Sequence, residues 1–168
     1  MIDLGFREII ESNAGCALIL TGSESDESHI RIIGDALNRY TVPYQVHIAS
    51  AQKQSVDLLK VLEEYDVIKG ALAYIAVAGG TNDLSGVVSF HTYRPVISCL
   101  PNRLNQSCFY NPPGSSNGFV LLPDICARLV AQMWSCYNPT YRDLLRLDNE
   151  QRNERLRRTY KHIKATFY

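Results

Sequence analysis

The chain lacks a charge imbalance: among 168 residues, 17 Lys and Arg stand against 17 Asp and Glu. No global field therefore draws it to nucleic acid or to a membrane surface. No apolar run approaches the length of a bilayer span. The five cysteines (Cys16, Cys99, Cys108, Cys126 and Cys136) contain no C-x-x-C pair, and Cys16 and Cys99 sit in apolar, strand-like runs. That pattern argues against a disulfide framework or a zinc site and for a reducing compartment. The G-x-G-x-x-G fingerprint, the G-x-x-x-x-G-K-[ST] phosphate loop and the G-x-S-x-G nucleophile elbow are all missing. There is no internal repeat and no low-complexity segment. The start of the chain carries Asp3, Arg7, Glu8 and Glu11, which does not fit a signal peptide. The expectation is a cytoplasmic protein that needs no metal and no cofactor.

What is present is a regular alternation of strand-like and helix-like segments. An amphipathic stretch at 2–12 precedes a strand over about 16–21 and a helix over about 27–40. Pro43 then breaks the chain before a strand over about 44–49. A helix over about 55–65 puts Val56, Leu59, Leu62 and Tyr65 on one face. The run 71–78 is apolar on both faces, as befits the centre of a parallel sheet. A short helix at 84–91, a strand at 96–99 and a long polar stretch at 101–117 follow. The stretch is too long for a simple connection, which marks it as functional. A strand at 118–122 leads to a helix over about 123–137, with Ile125, Leu129, Val130 and Met133 as its apolar positions. Pro139 separates it from a charged helix over about 140–163. Arginines and lysines there are interleaved with Asp143, Asp148, Glu150 and Glu154, which suits a solvated or subunit-bridging helix better than a nucleic-acid arm. Three parts result: an N-terminal extension at 1–14, an α/β domain at 15–138 and a C-terminal helix at 139–168.

Alternating βα units give a parallel sheet with helices on both faces, and such sheets bind ligands beyond the carboxyl ends of their strands. The polar motifs all fall there. Thr21-Gly22-Ser23-Glu24-Ser25-Asp26 joins the first strand to the first helix. Unpaired N–H groups and the hydroxyls of Ser23 and Ser25 suit a phosphate, and Asp26 suits a helix cap or a sugar hydroxyl. Ser50-Ala51-Gln52-Lys53 brings a mobile cation. In Ala78-Gly79-Gly80-Thr81-Asn82-Asp83-Leu84-Ser85-Gly86 the paired glycines permit close approach of a ligand, and Asn82 both donates and accepts, as a heterocycle edge requires. Asp83 or Asn82 also reads as an ordinary helix cap. His47 reads as a structural strand residue, and His91 as a residue that faces either the site or, more simply, the helix surface.

Taken together, these three motifs and Arg94-Pro95-Val96-Ile97-Ser98-Cys99 resemble, in order and spacing, the PurE-type carboxylases that act on 5-aminoimidazole ribonucleotide (AIR). The likeness covers residues 16 to about 137 and is strongest to the class II branch, which uses CO2 directly and includes the carboxylase domain of the animal bifunctional purine enzyme. It implies a three-layer αβα, flavodoxin-like doubly wound parallel sheet of about five strands. It further implies an octamer in which the C-terminal helix extends to a neighbouring subunit. By position, Ser23, Ser25 and Asp26 would hold the phosphate and ribose. Ser50 and Lys53 would complete the phosphate and CO2 side, and Gly79, Gly80 and Asn82 would line the aminoimidazole end. The partners implied are an AIR-like ribonucleotide monophosphate and CO2, with neither nucleic acid nor membrane.

Three positions depart from that pattern. Gln52 occupies the place of the family's histidine, which would carry protons together with Lys53. Gly80 and Tyr110 occupy places where class II has arginines. An amide has no proton to exchange near neutral pH, and losing a general acid–base costs about 10²–10⁴-fold in rate. A working carboxylase would therefore have Lys53, Asp83 or His91 taking over proton transfer, and the alternatives to it are an impaired nucleotide-binding paralogue and a purely structural oligomer.

Overall fold

A computed structural model of the protein describes residues 2–80, 83–102 and 107–167. Its centre is a parallel sheet of β1 (Cys16–Thr21), β2 (Tyr44–Ile48), β3 (Leu72–Val77), β4 (Val96–Ser98) and β5 (Gly118–Phe119). The strand order is β2-β1-β3-β4-β5. β1 and β3 pair along their whole length, from Cys16 opposite Leu72 to Thr21 opposite Val77, and both are buried on both faces. Six helices accompany the sheet: α1 (Leu4–Glu11), α2 (Glu27–Arg39), α3 (Ser55–Asp66), α4 (Asp83–His91), α5 (Pro123–Trp134) and α6 (Pro139–Phe167).

Side chains of a strand alternate between the two faces of its sheet, and the core divides accordingly. Ala17, Ile19, Ile75 and Val77 pack with Ile33 and Leu37 of α2, with Val130 of α5 and with Tyr141 of α6. Leu18, Leu20, Tyr74 and Ala76 pack on the opposite face with Phe6 and Ile10 of α1, with Leu58 and Leu62 of α3 and with Val88 of α4. The result is the three-layer αβα arrangement that the sequence implies. The N-terminal stretch is not an appendage to this core. Phe6 meets Tyr65 edge-to-face at 6.3 Å, and Asp3 caps α1 by accepting from the Phe6 N–H at 3.0 Å.

Several expectations need correction. In α3 the buried positions are Leu58, Leu62 and Tyr65, while Val56 is 63% exposed. The core face follows the i, i+4, i+7 spacing from Leu58, and Val56 stands two residues out of phase with it. In α5 the core is carried by small residues, Cys126, Ala127, Val130 and Ala131, because α2 packs close against it, and Ile125 faces outward. β5 has two residues rather than five, since the chain turns at Leu121-Leu122 into a helix opened by Pro123. α6 continues beyond the expected end to Phe167. Only its first turns are held: Tyr141 and Leu145 are buried, and the Tyr141 hydroxyl donates to the Gly15 carbonyl at 2.6 Å. Residues 149–167 are exposed throughout.

All five cysteines are free thiols; Cys136 is exposed and the other four are buried. No helix of the described residues is long and apolar enough to cross a membrane.

Candidate functional site

The carboxyl ends of β1, β2 and β3 open into a crevice of about 230 Å³. β1 delivers Thr21, after which Gly22-Ser23 leads into a single 3-10 turn over Glu24–Asp26. Ser23 is the cap of that turn: its Oγ accepts from the Ser25 N–H at 3.2 Å and lies 2.9 Å from the Ser25 Oγ. The two hydroxyls thus form one polar ridge, with Ser23 on the crevice wall and Ser25 tied behind it. Asp26 stands at the N-cap position of α2, but its side chain makes no capping bond, which corrects the first of the two roles expected for it. Its carboxylate instead turns inward, 7% exposed, where Thr21 Oγ1 reaches its Oδ2 at 3.4 Å. A Cβ added at Gly79 would stand 3.0 Å from Asp26 Oδ1, so that glycine is what lets β3 approach the buried carboxylate.

From the end of β2 come Ser50, Gln52 and Lys53, all on the crevice wall. Ser50 shapes this loop by accepting from the Lys53 N–H at 3.2 Å, which leaves the lysine head exposed. Gln52 crosses the crevice and donates from Nε2 to Asp83 Oδ2 at 2.6 Å. Gly79 and Gly80 supply the β3 wall, and a Cβ at Gly80 would meet nothing within 4 Å. Asn82, the remaining expected ligand, lies outside the described residues. Ser23, Asp26, Ser50, Gln52, Lys53, Gly79 and Gly80 are therefore brought to one cavity from three loops, with Ser25 one hydrogen bond away.

Asp83 is the first residue of α4 and lines this crevice as well as a second cavity of about 380 Å³. Sequence reasoning gave it a capping role and, with Lys53 and His91, a place among the groups that could take over proton transfer; its contact with Gln52, 31 residues away in the chain, was not visible from spacing. The second cavity lies between α4 and the long connection after β4, and His91, Phe90 and Tyr110 face it. That connection is tied down at two points: Ser115 Oγ donates to the Gly86 carbonyl at 3.0 Å, and Asn117 Nδ2 donates to Ser98 Oγ at 2.8 Å.

Below the Ser23 turn sits a thiol–imidazole group that sequence reasoning also missed. His29 Nε2 lies 3.1 Å from the Cys99 carbonyl and 3.7 Å from its Sγ. The hydrogen bond to Cys99 holds the imidazole above its usual range. A hydrogen bond from the Cys126 thiol, helped by His29, pulls the Cys99 thiol below its own. By contrast, Arg94 is structural. It donates to Asp66 Oδ1 at 3.0 Å and to the Gly70 carbonyl at 2.8 Å, at the opposite end of the sheet from the crevice. His47 is structural as expected, with Nε2 2.9 Å from the Tyr65 hydroxyl. Among the described residues no cluster of His, Cys, Asp or Glu is arranged to hold a metal ion.

The chain is 32% identical over 132 residues to phosphoribosylaminoimidazole carboxylase of Treponema denticola, covering 75% of this chain and 83% of that protein. It is 31% identical over 137 residues to the bifunctional phosphoribosylaminoimidazole carboxylase/phosphoribosylaminoimidazole succinocarboxamide synthetase of Rattus norvegicus. That match covers 77% of this chain and 32% of that protein, so the chain spans about a third of the bifunctional relative. The crystal structure of Treponema denticola PurE superimposes with a TM-score of 0.84 at 28% identity, covering 89% of this chain and 98% of that one. Residues 17–155 match the family described as AIR carboxylase, and with this match and the shared fold the chain belongs to that family.

Proposed function

We propose that this protein carboxylates AIR with CO2, as a PurE-like enzyme of purine biosynthesis. The observation that carries the reading is the convergence of Ser23, Ser50, Lys53 and the Gly79-Gly80 wall on one crevice in a chain of the AIR carboxylase family. Hydroxyls and a cation at the β1 and β2 ends suit the phosphate. Asp26, buried beside Gly79 but lining the crevice, suits a ribose hydroxyl. The open face at Gly80 leaves room for the flat aminoimidazole and for CO2. Asn82 is assigned to the same end by its place in the motif.

In the reaction the C4 carbon of the aminoimidazole attacks the carbon of CO2. A C–C bond forms, and C4 then gives up its proton so that the ring regains aromaticity. The protein's part is to hold the two reactants in contact and to take that proton. Incubating the purified chain with AIR and bicarbonate, and following carboxylated nucleotide by chromatography, tests the reading. Product above the protein-free rate is expected. Nucleotide binding without product would favour an impaired paralogue, the reading that Gln52 motivates.

We further assign assembly into an octamer, with α6 packing on a neighbouring subunit, and residence in the cytoplasm. The support for the assembly is a stripe on α6. Leu156, Tyr160, Ile163 and Phe167 recur at spacings of four, three and four residues and are 48–76% exposed. That is the periodicity of a helix seam awaiting a partner.

A further inference from the structure

We infer that Asp83 is the catalytic proton acceptor of this chain and that Gln52 is its positioning residue. The inference rests on the carboxylation reading above and names the group that reading leaves open. A carboxylation needs a base that touches the crevice, has a lone pair to offer and is held in place. The ionisable side chains on the crevice wall are Asp26, Lys53 and Asp83. Asp26 is buried, and its carboxylate is committed to Thr21 and packed beside Gly79. Lys53 presents a cation, which suits an anionic ligand but not proton uptake. His91 does not line this crevice; it lines the neighbouring cavity and another beside α3, and meets Phe90 edge-to-face at 5.2 Å.

Asp83 meets the requirements that the others fail. Its side chain is solvent-accessible at the mouth of the crevice, and one of its two oxygens, Oδ2, is fixed by the 2.6 Å bond from Gln52. Among the described residues no hydrogen bond engages Oδ1, which is left to meet the substrate. An amide donor cannot itself exchange a proton near neutrality, but it orients a carboxylate well, since it donates without competing for the proton. The residue that looks like a loss at position 52 thus acquires a role. The step balances simply. The C4–carbon bond to CO2 forms, the C4–H bond breaks, its electron pair returns to the ring, and the proton goes to Asp83 Oδ1. Water then takes it from the carboxylic acid.

The test compares the intact parent protein with Asp83→Asn, which keeps an oxygen to accept from Gln52 but cannot hold the proton. AIR binding is measured by calorimetry and carboxylation by product formation. Asp83→Asn should lower kcat by about 10²–10⁴-fold while AIR affinity stays within about threefold. Formate or acetate, added as a small diffusible carboxylate, should restore part of the rate, which a merely structural role would not permit. Gln52→Met, which leaves Asp83 in place, should lower kcat by about tenfold at unchanged Tm and unchanged AIR affinity. A parent that turns over AIR alongside a fully active Asp83→Asn, or an inactive one that no carboxylate rescues, overturns the assignment of Asp83 and leaves the carboxylation reading standing. If Asp83→Asn fails to fold, an unchanged kcat in Gln52→Met overturns the pairing instead. A parent that neither binds nor carboxylates AIR removes the carboxylation reading and the assignment together.

Discussion

At the scale of single residues, the crevice depends on which glycine stands where. Gly79 has little room for a methyl group: its Cβ would press on Asp26 Oδ1 at 3.0 Å, whereas a Cβ at Gly80 meets nothing within 4 Å. Gly79→Ala should therefore displace the buried carboxylate, cost about 1–2 kcal/mol of stability and weaken nucleotide binding. Gly80→Ala should leave the urea midpoint within error, and parallel denaturation curves separate the two. His29 offers a second check. Its folded-state value lies above the ordinary 6.5, chiefly through its hydrogen bond to Cys99, so folding takes up a proton there. The stability this group contributes is full below the unfolded value and fades as pH rises through the raised one. Replacing it, His29→Gln, should cost more at about pH 6 than at about pH 9 in urea titrations, and NMR should find the imidazole titrating lower in Cys99→Ala. Much of the site was legible at this scale. Ser23, Ser50, Lys53 and Gly79 were found because polar residues and glycines directly after apolar strands are local signals. The Gln52–Asp83 bond and the His29–Cys99 pair join residues 31 and 70 positions apart, and no spacing rule carries such information.

At the scale of elements, one backbone position controls how α1 docks. Gly70 adopts φ +148°, and a Cβ there would stand 1.8 Å from the Ile10 carbonyl oxygen. The chain entering β3 thus passes directly against the end of α1. Gly70→Ala should cost about 2–4 kcal/mol, and a large fall in Tm with loss of protease resistance at α1 is the expected readout. Element types were readable because β1 and β3 are apolar runs and because Pro43 and Pro139 punctuate the chain where their missing N–H groups forbid continuation, whereas the ends of β5 and α6, which carry no such signal, were not. Helix faces were less readable. α5 buries Cys126, Ala127 and Ala131, so its contact with α2 selects small side chains that a search for large apolar residues passes over. The contribution of α1 to the core was equally hidden, since Phe6 and Ile10 gain their meaning only once Tyr65 is seen beside them.

At the scale of the whole molecule, α6 runs for 29 residues, about 44 Å at 1.5 Å per residue. Its outer half is exposed along its described length, yet it carries Leu156, Tyr160, Ile163 and Phe167 at helical spacing. A double substitution, Leu156→Asp with Ile163→Asp, should lower the mass found by light scattering toward that of a single chain, and should leave the far-ultraviolet spectrum per residue of the α/β body intact. An unchanged mass would overturn the assignment of subunit packing to α6. The distribution of thiols supplies a convenient means of watching this process. Four sulfurs are sealed in the interior and Cys136 alone is open to solvent, in the short link between α5 and α6. A maleimide fluorophore should therefore attach to the native protein at one place, beside the root of the projecting rod, and give an emission signal for subunit docking without any engineered attachment point.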